Sequence, residues 1–185
     1  LAAAHAHDLV HRDIKPGNVL LGHDGSIKIA DFGLATFLHK LNDAPGRVFG
    51  TPGFMAPEAL QGRPLDARSD LYAVGVVLYR AVTGRYPVRG ATFRQLIQGT
   101  LSDPSPTPDE LPEVPREVAE PICALLRKRP DERLAPASEV AEVLAEIARE
   151  HRLTWRLDFT RGEATSTASP FVATAKTMRL DADLA

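Results

Sequence analysis

The sequence has one cysteine, no long apolar run and almost no net charge. Cys123, in the apolar stretch PICALL, cannot form a disulfide within the chain, which favours a buried thiol in a reducing, cytoplasmic setting. The longest apolar run, residues 71–79, is too short to span a bilayer, so we expect no membrane segment in this chain. A formal charge of −2 gives no general attraction to nucleic acid, and none is expected as a partner.

The sequence does contain enough apolar residues for one globular domain. Hydrophobic residues make up 44% of the 185 positions and charged residues 25%, both ordinary globular values. Aliphatic runs at 18–21 and 26–30 flank an Asp-Gly pair that favours a tight turn, so they predict a small hairpin. Between residues 31 and 58, Gly and Pro recur without periodicity, and so long a loop is usually functional.

The second half of the sequence is predicted to be helical, with an irregular proline-rich connection at 103–115. Apolar patterning predicts helices at residues 70–82, 91–101, 117–127 and 137–149. From residue 151 the chain becomes rich in Thr, Ala and Ser without a clear period. We predict that residues 151–185 form a poorly ordered tail or linker.

Three short motifs occur in a fixed order along the first third of the chain. HRDIKPGN at 11–18 places dense polar side chains ahead of a strand, as a solvated turn or a catalytic loop would. DFG follows at 31–33, and GTP and APE close the irregular stretch at 50–52 and 56–58. Together they resemble the catalytic machinery of eukaryotic-type serine/threonine protein kinases, in particular the bacterial Hanks-type members. The order and spacing of the three motifs therefore favour a catalytic loop over a solvated turn at residues 11–18.

The resemblance covers residues 1 to about 150 and implies the C-terminal, large lobe of a protein kinase. The expected fold is mainly α with a small β-hairpin. The catalytic loop would lie at 11–18, the activation segment at 31–58 and a helical subdomain at 66–150. The implied activity is transfer of the γ-phosphate of MgATP to a Ser or Thr hydroxyl of a protein substrate.

The resemblance assigns phosphoryl transfer to residues of the catalytic loop. Asp13 would accept the proton of the substrate hydroxyl as the catalytic base, and Lys15 would place its ammonium group against the transferring phosphate. Thr51 would contact both residues. The Asp-x-Lys-x-x-Asn pattern and this threonine mark serine/threonine kinases within the family, so the expected acceptor is Ser or Thr.

The same resemblance assigns the binding of ATP and Mg²⁺. Asn18 and Asp31 would hold the metal, because Mg²⁺ prefers hard oxygen ligands. Lys15 would also contact the nucleotide, and Leu20 would form an apolar floor under the adenine. The predicted hairpin would bring Asn18 and Asp31 to one end of a rigid element.

Other motif positions are expected to be structural. Asp70 would tie a central helix to the backbone of the catalytic loop, and Glu58 would form a partly buried ion pair with Arg133. His5 is expected to have a structural role. The remaining structural positions are His11, Arg12, Phe32 and Gly33.

The sequence also departs from the family pattern. Asp8 stands where glycine is common, and Phe54 replaces a usual tyrosine. Between residues 37 and 50 there is no Ser, Thr or Tyr. We therefore hypothesise that activation does not use phosphorylation in the middle of this loop, with Asp43 as a fixed negative partner for Arg12.

The chain contains no G-x-G-x-x-G loop and no VAIK-like strand ahead of residue 11. We therefore expect a missing N-terminal lobe, and a 185-residue chain that is inactive alone. The alternative is a truncated, catalytically inactive kinase-like interaction module. Small-molecule phosphotransferases share an H-x-D-x-x-x-x-N loop but lack the GTP and APE segment.

Overall fold

The computed structural model describes residues 1–22, 25–32, 51–150, 155–158 and 163–166. The described residues form a mainly helical body with two short antiparallel hairpins. The helices are α1 (Ala2–His5), α2 (Pro57–Leu60), α3 (Ala67–Thr83), α4 (Phe93–Ser102), α5 (Arg116–Leu125) and α6 (Ala137–Glu150). The strands are β1 (Val19–Leu21), β2 (Ile27–Ile29), β3 (Trp155–Asp158) and β4 (Glu163–Ser166). Single 3₁₀ turns occur at Pro16–Asn18, Pro52–Phe54, Pro108–Glu110 and Pro130–Glu132.

Helix α3 is the centre of the body. It begins after Asp66, whose side chain accepts a hydrogen bond from the Arg68 backbone N–H, and it ends at Gly84 with φ of +72°. Its buried face packs against α5 in a core of aliphatic and aromatic side chains that includes Tyr72, Val76 and Ile122. Such burial stabilises each large apolar side chain by roughly 1.5–3 kcal/mol.

Helix α4 is fixed at both of its ends. At its start, Thr92 and Gln95 form a capping box that satisfies two backbone N–H groups. At its end, the ammonium group of Lys128 donates to the carbonyl oxygens of Gly99 and Thr100, at 3.3 and 2.8 Å. Burial lowers the pKa of Lys128 from its ordinary value. Helix α4 also packs on the Pro52–Phe54 turn, so its position bears on the chain beside the site.

Strands β1 and β2 form the hairpin that the sequence predicts. Val19 pairs with Ile29 and Leu21 with Ile27, while Gly25 adopts a φ of +81° in the turn. The Ala30 backbone N–H donates to the carbonyl oxygen of Asn18 at 2.8 Å and closes the open end of the hairpin. Residues on either side of the hairpin are therefore held next to each other.

The predicted mainly α fold with a small hairpin is confirmed. Helix α3 begins at residue 67 rather than 70 because Asp66 caps it, and a 3₁₀ turn interrupts the predicted irregular connection at 103–115. No helix among the described residues is long and apolar enough to cross a membrane.

Two short strands are described within residues 151–185, where we predicted a poorly ordered tail or linker. Strands β3 and β4 pair there in antiparallel register, from Trp155 opposite Ser166 to Asp158 opposite Glu163. Apolar and polar residues alternate in β3, but a pattern of four residues is too short to identify a strand from sequence. The division of the chain at residue 150 stays a prediction.

Candidate active site

The loop that carries HRD is anchored to α3 through Asp70, whose side chain is buried. One of its carboxylate oxygens accepts the backbone N–H of His11 and the other that of Arg12, both at 2.8 Å. The imidazole of His5, on α1, lies 2.9 Å from the oxygen that His11 contacts. Arg12 has a φ of +69°, which costs free energy for a residue other than glycine. The two hydrogen bonds that Asp70 accepts from the backbone offset that cost.

His11 connects the same loop to the end of the hairpin. It is fully buried, and its Nδ1 accepts the backbone N–H of Asp13 at 3.2 Å. The proton therefore resides on Nε2, which donates to the carbonyl oxygen of Ala30 at 2.7 Å. Its ring also meets Phe32 edge-on, with centroids 4.7 Å apart. His11 thus holds the start of DFG against the HRD loop.

Asp13 is the centre of a cluster of polar side chains. Its Oδ2 accepts the Lys15 ammonium at 2.6 Å, and its Oδ1 accepts the Thr51 hydroxyl at 3.4 Å. The amide nitrogen of Asn18 donates to the Asp13 backbone carbonyl at 2.8 Å and to Oδ2 at 3.2 Å. The Asp13 side chain remains 25% exposed, so an incoming hydroxyl group can reach it.

Lys15 and Thr51 complete the cluster from two different segments. The Lys15 ammonium donates to the Thr51 hydroxyl at 3.3 Å as well as to Asp13. Thr51 lies 36 residues further along the chain, directly before the Pro52–Phe54 turn. The structure thus brings together three residues to which the resemblance assigned phosphoryl transfer.

Asn18 and Asp31 lie at the same end of the hairpin. The Asn18 amide nitrogen is occupied by Asp13, which leaves the side-chain oxygen as the atom available to a cation. Asp31 follows Ala30, the hydrogen-bonded neighbour of Asn18, and is exposed with φ of +63°. These oxygen donors fit Mg²⁺, which usually takes one or two carboxylates and completes its shell with phosphates and water. No group of three His, Cys, Asp or Glu among the described residues forms a metal cage.

Leu20, to which the resemblance assigned the contact with the adenine, lies on β1 with 52% of its surface exposed. Leu21 and Ile27 on the same hairpin are also exposed, at 46% and 58%. Gly33 lies outside the described residues, and so does Asp43 of the activation hypothesis.

The segment after Thr51 is fixed to the body by a buried ion pair. Two guanidinium nitrogens of Arg133 each donate to one carboxylate oxygen of Glu58, both at 2.6 Å. Ser69 also donates to Glu58 at 2.8 Å. Burial alone would raise the pKa of Glu58, but the hydrogen bonds and charge of Arg133 outweigh it and the pKa is lowered.

An aromatic cluster beside Thr51 was not foreseen from the sequence. The Tyr86 ring packs directly on Gly53 and meets the Phe54 ring edge-on at 5.7 Å. The guanidinium of Arg80 lies 4.3 Å from the Tyr86 centroid and 5.5 Å from that of Phe54. The replacement of tyrosine by Phe54 is the only sequence signal that pointed here.

The departure at Asp8 has a simple structural account. Its φ is +57°, in the left-handed region that favours glycine. Aspartate tolerates this region better than most other residues. The chain therefore turns from the end of α1 towards His11 without a glycine.

Comparison with known proteins identifies the class to which this fold and cluster belong, the protein kinases. A family model described as the protein kinase domain matches residues 1–146. The chain therefore belongs to the protein kinase family, as the motifs predicted.

The curated relatives include bacterial and animal kinases. Over 144 residues the chain is 42% identical to the DNA damage-responsive serine/threonine-protein kinase RqkA of Deinococcus radiodurans, covering 76% of this chain and 22% of the relative. It is 40% identical over 147 residues to serine/threonine-protein kinase PkaA of Streptomyces coelicolor, covering 75% and 25%. It is 36% identical over 178 residues to human rhodopsin kinase GRK1, covering 94% and 30%. The chain thus spans about a quarter of the length of the relatives it matches.

Proposed function

We propose that this chain is the catalytic segment of a serine/threonine protein kinase, which transfers the γ-phosphate of MgATP to a hydroxyl of a protein substrate. The observation that carries the proposal is the set of contacts around Asp13. One carboxylate accepts hydrogen bonds from an ammonium, an amide and a hydroxyl group while a quarter of its side chain stays exposed.

In this function Asp13 is the base. The substrate oxygen forms a bond to the γ-phosphorus, the bond from that phosphorus to the β-phosphate oxygen breaks, and the hydroxyl proton goes to Asp13. The contacts of Asp13 with Lys15 and Thr51 hold its carboxylate in one orientation. Positioning of this kind is the main contribution a protein makes to phosphoryl transfer.

Lys15, Asn18 and Asp31 form the part of the site that receives phosphate and metal. MgATP supplies the transferable phosphoryl group, and its metal neutralises the developing charge. Lys15 adds a positive charge beside Asp13, while the oxygens of Asn18 and Asp31 are the ligands we propose for Mg²⁺. The exposed side chain of Leu20 is the surface proposed to contact the adenine.

The contacts of Thr51 support the proposal that the acceptor is a serine or threonine of the substrate. Its hydroxyl bridges Asp13 and Lys15, so the segment after it is held against the base. An acceptor on a short side chain must approach closely to reach Asp13. We further propose that the protein itself is cytoplasmic and that its substrate is a protein and not a nucleic acid.

The test is phosphate transfer from radiolabelled ATP to a general protein substrate, with the full-length product of the gene that encodes this sequence. Asp13→Asn removes the base and is expected to lower kcat by about 10²–10⁴-fold. Asp109→Asn makes the same chemical change at an exposed turn and serves as the control. Label should appear on Ser or Thr and not on Tyr.

Equal activity of wild type and Asp13→Asn would contradict the proposed role of Asp13. A wild-type protein that transfers no phosphate and whose thermal unfolding is unchanged by MgATP would favour the inactive interaction module instead. The 185-residue chain alone is expected to be inactive, because its sequence contains neither the glycine-rich loop nor the strand lysine.

A further inference from the structure

The Thr51 hydroxyl meets the active-site cluster through two long hydrogen bonds. It lies 3.4 Å from the Asp13 carboxylate and 3.3 Å from the Lys15 ammonium group. Hydrogen bonds of these kinds are usually about 2.5–3.2 Å long and weaken as they lengthen. A small displacement of Thr51 would therefore break both contacts, so the cluster depends on whatever fixes the backbone beside this residue.

The backbone beside Thr51 is the 3₁₀ turn Pro52–Phe54. Inside it, the Phe54 backbone N–H donates to the carbonyl oxygen of Thr51 at 2.9 Å. This hydrogen bond shapes the turn, whereas packing attaches the turn to the rest of the body. Gly53 and Phe54 are buried, and the turn packs on both α3 and α4. The position of Thr51 is thus set by side chains that those helices and their connection supply.

Tyr86, in the connection between α3 and α4, makes the most direct contact with this turn. A Cβ atom placed on Gly53 would lie 2.6 Å from one carbon of the Tyr86 ring and 2.9 Å from another. No atom fits between the ring and the backbone at that point. The ring also meets the Phe54 ring edge-on, with centroids 5.7 Å apart. Tyr86 therefore covers the backbone of the turn two residues from Thr51.

The connection that carries Tyr86 is itself fixed on both sides. Before Tyr86, the Arg85 backbone N–H donates to the hydroxyl of Thr83, the last residue of α3, at 3.2 Å. After it, Val88 is buried against α4, where a Cβ atom on Gly99 would lie 3.0 Å from the Val88 Cβ. The ring is therefore held by both neighbouring helices and can act as a firm support for the turn.

We propose that Tyr86 is a positioning residue for phosphoryl transfer, because its ring fixes the turn that holds the Thr51 hydroxyl against Asp13. The inference rests on the proposed kinase function and adds a residue that acts through Thr51. Misplacement of an active-site group by about 1 Å can lower a rate about 10²-fold. Loss of a support two residues away should lower it less, by about tenfold.

The first experiment measures phosphate transfer from radiolabelled ATP by the full-length product of the gene that encodes this sequence. Tyr86→Ala should lower kcat about tenfold and leave KM for ATP unchanged, since it disturbs positioning and not nucleotide binding. Tyr86→Phe keeps the ring, removes only the hydroxyl that accepts a hydrogen bond from Arg80, and should restore the wild-type kcat. An unchanged kcat with a raised KM for the protein substrate in Tyr86→Ala would make Tyr86 a substrate contact and overturn the proposal.

A double variant tests whether Tyr86 acts through Thr51. Thr51→Val removes the hydroxyl and is also expected to lower kcat about tenfold. Adding Tyr86→Ala to Thr51→Val should lower kcat no further, because the group that the ring positions is already gone. Independent losses that multiply to about a hundredfold would show that Tyr86 acts by another route, which overturns the proposal.

A matched control separates positioning from a general loss of packing. Ile147→Ala removes a buried side chain from α6. It should lower the melting temperature but leave kcat unchanged at a temperature where both variants are folded. A fall in kcat as large as that of Tyr86→Ala would assign the effect to stability and contradict the proposal.

Hydrogen exchange followed by mass spectrometry examines the turn without requiring activity. In a peptide spanning residues 51–60, the Phe54 amide should exchange about tenfold faster in Tyr86→Ala than in the wild type, and at the wild-type rate in Tyr86→Phe and Ile147→Ala. Equal exchange in Tyr86→Ala and wild type would refute the positioning role and leave the kinase function intact. Faster exchange in Tyr86→Ala, with a wild type that transfers no phosphate, would refute the kinase function while the support of the turn by Tyr86 stands.

Discussion

Arg133→Met should destabilise the folded chain severely, because it leaves a carboxylate buried without its partner. The Arg133 side chain is fully buried, and its two hydrogen bonds to Glu58 are both 2.6 Å long. The same guanidinium donates to the backbone carbonyl oxygens of Arg68, Arg127 and Lys128. Methionine fills much of the volume but supplies none of these five hydrogen bonds.

The magnitude follows from the loss of one partner from a buried pair. Removing one member typically costs about 3–5 kcal/mol. Total unfolding free energies of small domains are about 5–15 kcal/mol, so a large share of the stability would disappear. For a chain of this size that loss corresponds to a fall in the melting temperature of roughly 6–20 °C.

The assay is thermal and urea unfolding followed by circular dichroism at several pH values. Because the pKa of Glu58 lies below its ordinary value of 4.5 in the folded protein, its charge stabilises the fold above that pH. This contribution is lost as the pH falls through the folded-state pKa. Without Arg133, burial should raise the pKa of Glu58, so the variant regains stability relative to wild type as Glu58 is protonated.

The control is Arg116→Ala, which removes the exposed ion pairs to Asp109 and Glu120. It should change stability by no more than about 1 kcal/mol. If Arg133→Met also cost less than about 1 kcal/mol at neutral pH, or if its cost did not depend on pH, the reasoning about an uncompensated buried Glu58 would be refuted.

Two further changes test the packing described above. Burial raises the pKa of the Cys123 thiol to about 11, so iodoacetamide should not modify the native chain at pH 8. The urea-unfolded chain should react fully, as measured by mass spectrometry. Rapid labelling of the native chain would contradict this prediction. Gly53→Ala should cost about 1–3 kcal/mol by overpacking against the Tyr86 ring, and Tyr86→Leu in the same chain should recover most of it. Additive costs in thermal melts of the double variant would show that Gly53 and Tyr86 do not clash.

The sequence predicted the residues of the site better than it predicted their supports. Asp13, Lys15 and Asn18 lie within one short motif, so their proximity follows from local geometry. Glu58 and Arg133 are 75 residues apart, and only the family resemblance paired them. The stack of Arg80 on Tyr86 has no signal in the sequence, because it depends on how the connection after α3 folds back.

The difference between local and distant contacts also explains which helices and strands could be predicted from the sequence. Hairpin β1–β2 could be predicted because β-branched and aliphatic runs flank a turn pair, whereas the four-residue strands β3 and β4 carry too short a pattern. The start of α3 was placed three residues late because apolar patterning does not detect a cap. Asp66 and its hydrogen bond to Arg68 supply the missing information.

The geometry of the HRD loop is imposed by helix α3 and not by the loop itself. Arg12 and Asp31 both hold left-handed backbone conformations that cost about 1–3 kcal/mol each in residues other than glycine. Buried Asp70 fixes the first through two backbone N–H groups, and buried His11 holds the chain next to the second through Ala30. A short polar motif therefore acquires a single arrangement only when the core beneath it is complete. For this reason Asp13, Lys15 and Asn18 can be identified from a motif of eight positions, while their placement depends on a helix that begins only at residue 67.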